Sequence, residues 1–130
     1  MTTSHPTDTN DLEIKNHKCF FVGGVKKNID NKEIAKGTMY VEQFTPKKHK
    51  ENLKIIFIHG GGQTGVGFLG TPDGRRGWIH DFLLAGFEVF VVDQPGRGRS
   101  GYSSKLFGDY IDRELDIDDC YWVYYIIVIV

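Results

Sequence analysis

The 130 residues of the chain suffice for one domain of ordinary size and are too few for two. The 16 Lys and Arg residues balance 17 Asp and Glu residues, and a net charge of -1 excludes the basic surface with which proteins bind nucleic acid. With 40% hydrophobic and 25% charged residues the chain has the composition of a soluble globular protein, and its 16 glycines are the one clear excess.

The ends of the chain and its two cysteines indicate little chemistry. Residues 1–16 are rich in Thr, Asn and Asp and predict a flexible tail without the apolar core of a secretory signal, so we expect a cytoplasmic location. The longest apolar run, 121–130, is shorter than the roughly 20 residues of a membrane span. Cys19 and Cys120 lie outside any metal-ligand spacing, which predicts two free thiols, no metal site and no cofactor.

Two strands are predicted before residue 50. Residues 18–22 form an apolar patch that ends at Gly23-Gly24, which indicates a strand followed by a turn. Residues 26–36 are polar and show no strand pattern, whereas residues 38–44 alternate between polar and apolar side chains. We expect the two strands to pair antiparallel.

A strand–helix–strand unit follows. Residues 54–58 and 88–92 are continuous apolar runs, which is typical of parallel strands buried on both faces. Residues 71–74 predict a turn that could also cap the next helix, and Trp78, Phe82 and Leu83 have the spacing of a helix that ends at Gly86. The sequence therefore predicts an α/β fold in which an antiparallel N-terminal strand pair leads into a parallel βαβ unit.

Glycines are concentrated where the two apolar strands end. Six lie between residues 60 and 70, and three lie between residues 96 and 101. Ligands of open α/β sheets bind beyond the carboxyl ends of the strands, and glycine lets backbone N–H groups approach a ligand oxygen closely. Two interpretations fit this arrangement.

The first interpretation is a non-enzymatic module that binds a dinucleotide or another ligand. Residues 60–65 match G-x-G-x-x-G after a strand, and Asp93 would hold a ribose hydroxyl. Residues 96–101 match the same pattern, however, and no helix begins within the motif. Asp93 also lies further from the motif than the usual spacing of about 20 residues. This interpretation is therefore the alternative.

The second interpretation is an oxyanion hole, because an HGGG loop after a buried strand supplies N–H groups to the developing charge of acyl transfer. Three blocks carry it: HGGGQTG at 59–65, TPDGRRGW at 71–78 and VVDQPGRGRS at 91–100. In this order they resemble the α/β-hydrolase superfamily, and within it a group of bacterial and fungal esterase-like proteins. The resemblance covers residues 55–102 and implies that residues 17–107 are the N-terminal part of an α/β-hydrolase domain with an incomplete sheet.

The resemblance also implies roles for individual residues. The backbone N–H groups of Gly61 and Gly62 would donate to the oxyanion. Four residues would shape the loops without taking part in the reaction: His59, Gly60, Asp93 and Arg99. Residues 73–76 would pin the first loop to the helix, or are ordinary surface charges.

The sequence contains no catalytic triad. A hydrolase of this kind needs a nucleophile within G-x-S-x-G, followed by an acid and a histidine. None of the four serines has glycine on both sides at that spacing, and the last histidine is His80. We therefore predict that the chain is inactive as it stands, and that a small-molecule ester would be the substrate if further chain completed the site.

Residues 108–130 depart from the resemblance. They contain an acidic segment, which we expect to be solvated, and an apolar run with the β-propensity of an aggregation-prone strand. Either the chain is cut short and ends in residues foreign to the family, or the run is a strand that completes a small sheet. A third hypothesis is that no stable fold forms, because an incomplete doubly wound sheet leaves an edge unpaired and a face uncovered.

Overall fold

A mixed sheet of five strands forms the centre of the structure. The computed structural model describes residues 12–109 and 126–129. The strands are β1 (Ile14–Ile29), β2 (Lys32–Pro46), β3 (Lys54–Ile58), β4 (Glu88–Asp93) and β5 (Ile126–Ile129), in the spatial order β1-β2-β4-β3-β5. As the strand–helix–strand pattern predicts, β3 and β4 are parallel; the other neighbours are antiparallel. Helix α1 (Trp78–Leu84) connects β3 to β4, and the short helix α2 (Ser104–Phe107) follows β4.

The hairpin of β1 and β2 is much longer than the sequence predicted. β1 begins at Ile14, inside the predicted tail, and continues through Gly23-Gly24, so the turn predicted there is wrong. The chain turns instead at Asp30-Asn31, where φ is 51° and 62°, as a two-residue type I′ hairpin requires. Residues 21–28 and 32–35 are exposed, and a strand that buries neither face shows no alternation in its sequence.

The hydrophobic core lies between α1 and one face of β3 and β4. Because successive strand residues point to opposite faces, the buried side chains alternate along both strands. The fully or nearly fully buried residues of this core are Ile55, Phe57, Phe68, Ile79, Leu83, Val89 and Val91. The core thus fixes the position of the two strands at whose carboxyl ends the glycines lie.

Helix α1 has the predicted bounds and a different buried face. It begins at Trp78 and ends before Gly86, whose φ is 92°. Ile79 and Leu83 are its buried residues, whereas Trp78 is 53% exposed. Its N-cap residue is Gly77, so the capping role considered for residues 71–74 is wrong and those residues form a separate turn. Among the described residues no helix is long and apolar enough to cross a membrane.

The second face of β3 and β4 is less covered than the sequence predicted. Ile56, Ile58 and Phe90 are half-buried, although continuous apolar runs predicted burial on both faces. Helix α1 packs on the face that carries Ile55 and Val91. The described residues therefore bury one face of the parallel pair fully and the other in part.

The outer edge of β3 is paired with β5. Ile58 lies opposite Ile126 and Ile55 lies opposite Ile129, in antiparallel register. These four residues of the apolar run are thus a strand of the sheet, as one of the two alternatives predicted. The remainder of that run, residues 110–119 of the acidic segment, Cys120 and residues 1–11 of the predicted tail lie outside the described residues.

Candidate functional site

A tight turn follows β3 directly and presents two glycine N–H groups. The Gln63 N–H donates to the Gly60 carbonyl at 3.3 Å, so Gly61 and Gly62 are the central residues of the turn. Only Gly62 of these two has positive φ, at 70°, which is the pattern of a type II turn. Both central residues are exposed, and within residues 12–109 and 126–129 neither N–H donates to a protein acceptor. The turn therefore presents, on exposed residues, two backbone donors that no group of the described residues uses.

His59 fastens this turn to the loop that follows β4. Its side chain is buried, and its Nε2 accepts from the backbone N–H of Gln94 at 2.9 Å. The ring therefore carries its proton on Nδ1, which donates to the Gly60 carbonyl at 2.9 Å. The Gln94 side chain donates in turn to the His59 carbonyl at 2.8 Å. Both ring nitrogens are thus engaged in holding backbone.

Asp93 is the buried centre of the second loop. Its carboxylate accepts from the N–H of Gly65 at 2.7 Å and from the N–H and Nε of Arg99, each at 2.8 Å. Burial alone would raise the pKa of Asp93, but the hydrogen bonds from Arg99 and Gly65 outweigh it and lower the pKa below its ordinary value. Asp93 therefore stays ionised and ties the loop after β3 to the loop after β4.

Arg99 links Asp93 to strand β2. Its Nη1 donates to Glu42 Oε2 at 2.5 Å, and its guanidinium lies 4.1 Å from the centre of the Tyr40 ring. Burial would lower the pKa of Arg99, but the two carboxylates raise it above its ordinary value. The group is a permanent cation between two fixed anions, and all three positions are held by strands or by the loop after β4.

Ser100 completes the attachment to β2. Its hydroxyl donates to the Asp93 carbonyl and accepts from the Tyr40 N–H at 2.8 Å. The hydroxyl is therefore committed to backbone groups at the end of β4. It carries no sign of an activated nucleophile.

Two glycines permit this close packing. A Cβ on Gly65 would lie 2.6 Å from Val91 Cγ1 and 2.9 Å from the Val92 carbonyl oxygen. A Cβ on Gly98, whose φ is 45°, would lie 2.6 Å from Asp93 Oδ2. Both positions require glycine because the backbone passes directly against β4 or its terminal carboxylate.

The structure brings most of the predicted site residues to one end of the parallel pair. His59 and Gly60 lie at the end of β3, Asp93 ends β4, and Arg99 binds Asp93 directly. The sequence analysis missed Glu42 and Tyr40, which come from β2. The one available signal was their spacing of two residues, which predicts that both point to the same face of that strand.

Residues 73–76 lie on an exposed turn before α1. Asp73 Oδ2 accepts from Arg75 Nε at 2.8 Å, and the hydrogen bonds of Thr71 and Arg75 lower the pKa of Asp73. Arg76 contacts the His80 ring in α1. The first pair stabilises the turn, and the second contact joins the turn to the helix.

A cavity of about 290 Å³ lies at the opposite end of β3 and β4. It is lined by residues 49–54 and Glu88. Glu88 accepts hydrogen bonds from Gln43 at 2.7 Å and Thr45 at 2.8 Å. This cavity is separated from the glycine loops by the length of the strands.

The geometry argues against the dinucleotide interpretation. Asp93 is fully buried and its oxygens are already engaged, so it cannot reach a ribose hydroxyl. The glycine motif leads into a 3-10 helix of four residues, Gly65–Phe68, and not into the α-helix whose N-terminus would face a pyrophosphate.

Comparisons with known proteins give two similarities. No family model matches the chain. "Probable secreted lipase phiG" of Fungal sp. (strain ATCC 74256) is 46% identical over 81 residues, which are 62% of this chain and 20% of the lipase. A solved structure described as "The Atomic Resolution Structure of a Novel Bacterial Esterase" superimposes with a TM-score of 0.63 at 32% identity, covering 77% of this chain and 36% of the esterase. The chain thus spans a fifth of the length of the lipase and about a third of the length of the esterase. It has an esterase-like fold.

Proposed function

We propose that residues 54–102 form the oxyanion-loop part of an ester hydrolase active site. In this proposal the N–H groups of Gly61 and Gly62 bind the oxyanion that develops when the ester carbonyl is attacked. The observation that carries the proposal is the exposed turn after β3, with two backbone donors that no described protein group uses. The names of the similar lipase and esterase support the same reaction class.

The surroundings of the turn suit this role. Oxyanion donors are effective when they are held in place before the charge develops, because no reorganisation is then needed during the reaction. Two hydrogen bonds between His59 and Gln94, of 2.8 and 2.9 Å, fix the start of the turn to the residue after β4, and a third, of 2.9 Å, joins the His59 ring to the Gly60 carbonyl. Asp93 fixes its far side through Gly65. A donor held in this way is worth about 10²–10³ in kcat in characterised hydrolases.

In the same proposal His59, Asp93 and Arg99 position the loops and do not react. The hydrogen bonds of His59 leave no ring nitrogen to accept a proton from a nucleophile. Asp93 and Arg99 neutralise each other in the interior. The nucleophile, acid and base would come from residues outside these 130, and the substrate class would be a carboxylic ester.

A chimera tests the role of the turn. The matching segment of the structurally similar bacterial esterase is replaced by residues 54–102 of this chain, and hydrolysis of a short-chain activated ester is measured. Gly61→Pro removes one N–H, and proline is favoured at the second position of a type II turn, so the turn itself is kept. We expect kcat to fall by about 10²-fold or more.

Gly61→Ala is the matched control. It keeps the N–H, and no atom lies within 4 Å of the added Cβ. We expect activity close to that of the unsubstituted chimera. Equal activity of the proline and alanine variants would refute the assignment of Gly61 as a donor.

The 130-residue chain is assayed in parallel with the same ester. We expect no turnover above buffer, because the sequence holds no G-x-S-x-G and no histidine after His80. Turnover that disappears in Ser100→Ala would contradict the proposal that the triad lies elsewhere.

A further inference from the structure

Three metal-ligating side chains meet on the hairpin, apart from the glycine loops. His17 and Cys19 are two residues apart on β1 and therefore point to the same face, and Glu42 lies directly opposite Cys19 on β2. His17 Nε2 lies 2.9 Å from Glu42 Oε1, and Cys19 Sγ lies 3.9 Å from His17 Nε2. One ligand atom from each of the three lies within 4.8 Å of the others.

These distances are close to those of a tetrahedral metal site. Zinc binds sulfur at 2.3 Å and nitrogen or oxygen at 2.0–2.2 Å, which places neighbouring ligand atoms about 3.3–3.6 Å apart. Two of the three observed separations, 2.9 and 3.9 Å, lie on either side of this range, and the third pair of ligand atoms, from Cys19 and Glu42, lies within 4.8 Å. Small side-chain adjustments on an exposed hairpin are enough to reach it.

The ligand atoms are held in place by neighbours that leave the site open. Phe44 stacks on the His17 ring with centroids 4.5 Å apart, which fixes the ring plane. Arg99 holds Oε2 of Glu42 and leaves Oε1 directed to His17. Glu42 is buried whereas His17 and Cys19 are exposed, so an ion can enter from solvent.

The charges around the site favour a divalent cation. Glu42 and Asp93 face the single guanidinium of Arg99, which leaves one negative charge uncompensated, and a Cys19 thiolate adds a second.

We propose that His17, Cys19 and Glu42 bind a divalent transition metal, Zn²⁺ before others, with water as the fourth ligand. One imidazole, one thiolate and one carboxylate match the ligand preferences of zinc and exclude magnesium and calcium, which take oxygen ligands. On binding, the Cys19 thiol loses its proton to solvent and its sulfur bonds the metal, so affinity rises with pH. The ion cross-links β1 to β2. The site does not use the N–H groups of Gly61 and Gly62, and it is joined to the glycine loops only through the Glu42–Arg99–Asp93 contacts described above.

Cobalt provides the direct test, because a thiolate bound to Co²⁺ gives an intense charge-transfer absorption in the near ultraviolet. The reduced full chain is titrated with Co²⁺, and Zn²⁺ is then added to displace it. We expect the charge-transfer band to reach its full intensity at one equivalent of Co²⁺ per chain. The band should be lost in Cys19→Ser and kept in Cys120→Ser. Affinity for Zn²⁺ should fall by at least about 100-fold in Cys19→Ser, since even partners of ligands contribute 10–100-fold.

A histidine pair separates ligation from general binding. His17→Gln should weaken Zn²⁺ binding. His49→Gln should not, because His49 lies outside the cluster of three metal-ligating side chains. Far-ultraviolet circular dichroism monitors folding, and Cys19→Ser changes one exposed atom, so an unchanged spectrum is expected. Absence of the band in the unsubstituted chain, or its loss in Cys120→Ser instead of Cys19→Ser, would overturn the proposal.

Discussion

Gly65→Ala is the substitution for which the structure gives the clearest expectation. Gly65 begins the 3-10 helix after the HGGG turn and donates its N–H to buried Asp93 at 2.7 Å. An added Cβ would lie 2.6 Å from Val91 Cγ1, 2.9 Å from the Val92 carbonyl oxygen and 3.1 Å from Asp93 Oδ1. Two of these three distances are shorter than real Cβ contacts, and one partner is backbone of the central strand β4.

The magnitude follows from two effects. Forcing a methyl group into packed surroundings costs about 1–3 kcal/mol. Moving Gly65 away from β4 also weakens its hydrogen bond to a charged acceptor, and such bonds contribute about 1.5–3 kcal/mol. Because one movement relieves the first effect while causing the second, we expect a loss of about 2–4 kcal/mol. This is a large fraction of the roughly 5–15 kcal/mol that stabilises an ordinary domain.

Urea unfolding followed by far-ultraviolet circular dichroism measures this loss. Gly67→Ala is the matched control, because Gly67 lies in the same short helix and no atom is within 4 Å of its added Cβ. Its free energy of unfolding should change by less than about 0.5 kcal/mol. If both variants unfold at the same urea concentration, the close approach of Gly65 to β4 is not a stabilising contact and the reasoning fails.

Two further predictions concern the ion pair beneath the loops. Arg99→Ala should lower the free energy of unfolding, measured in urea, by about 3 kcal/mol, because it leaves Asp93 buried without its cation. Arg97→Ala should have little effect, because Arg97 is exposed. Similar losses in the two variants would contradict this expectation. The pKa of Asp93 is lowered in the folded chain, so its contribution is fully present above the unfolded pKa of about 3.9 and is lost as pH falls through the lower folded value. The urea concentration at the midpoint of unfolding should therefore decrease as the pH falls below about 4. In Asp93→Asn this decrease should be smaller over the same pH range. An equal decrease would assign the pH dependence to other groups.

The parallel unit could be predicted from the sequence because its signals are local. Residues 55–58 and 89–92 are unbroken apolar runs, and the helix between them has the expected spacing and a terminal glycine. The two glycine clusters mark the ends of these strands. Strand direction then places His59 and Asp93 at the same edge of the sheet, so the general location of the candidate site follows from these patterns.

The parts that could not be predicted depend on register and exposure. The outer half of the hairpin buries neither face, so its polar residues resemble a loop. Glu42 reaches Arg99 across 57 positions of sequence, and Gly65 reaches Asp93 across 28. Such contacts are set by which residues lie opposite each other on neighbouring strands. A shift of one strand by one residue would turn either Glu42 or Cys19 to the other face and so separate them, and no local pattern fixes that choice.

The pairing of β5 with β3 also determines the order in which the sheet can form. Hairpin β1–β2 closes over a two-residue turn, whereas β5 must join β3 across the stretch from residue 58 to residue 126. Loop-closure entropy makes such a long-range pairing slow, so we expect β5 to add after the other four strands. Until residue 129 has been synthesised and has docked, the edge of β3 is an open template for another chain. We therefore expect the rate at which residues 126–129 reach this edge to compete with aggregation during synthesis.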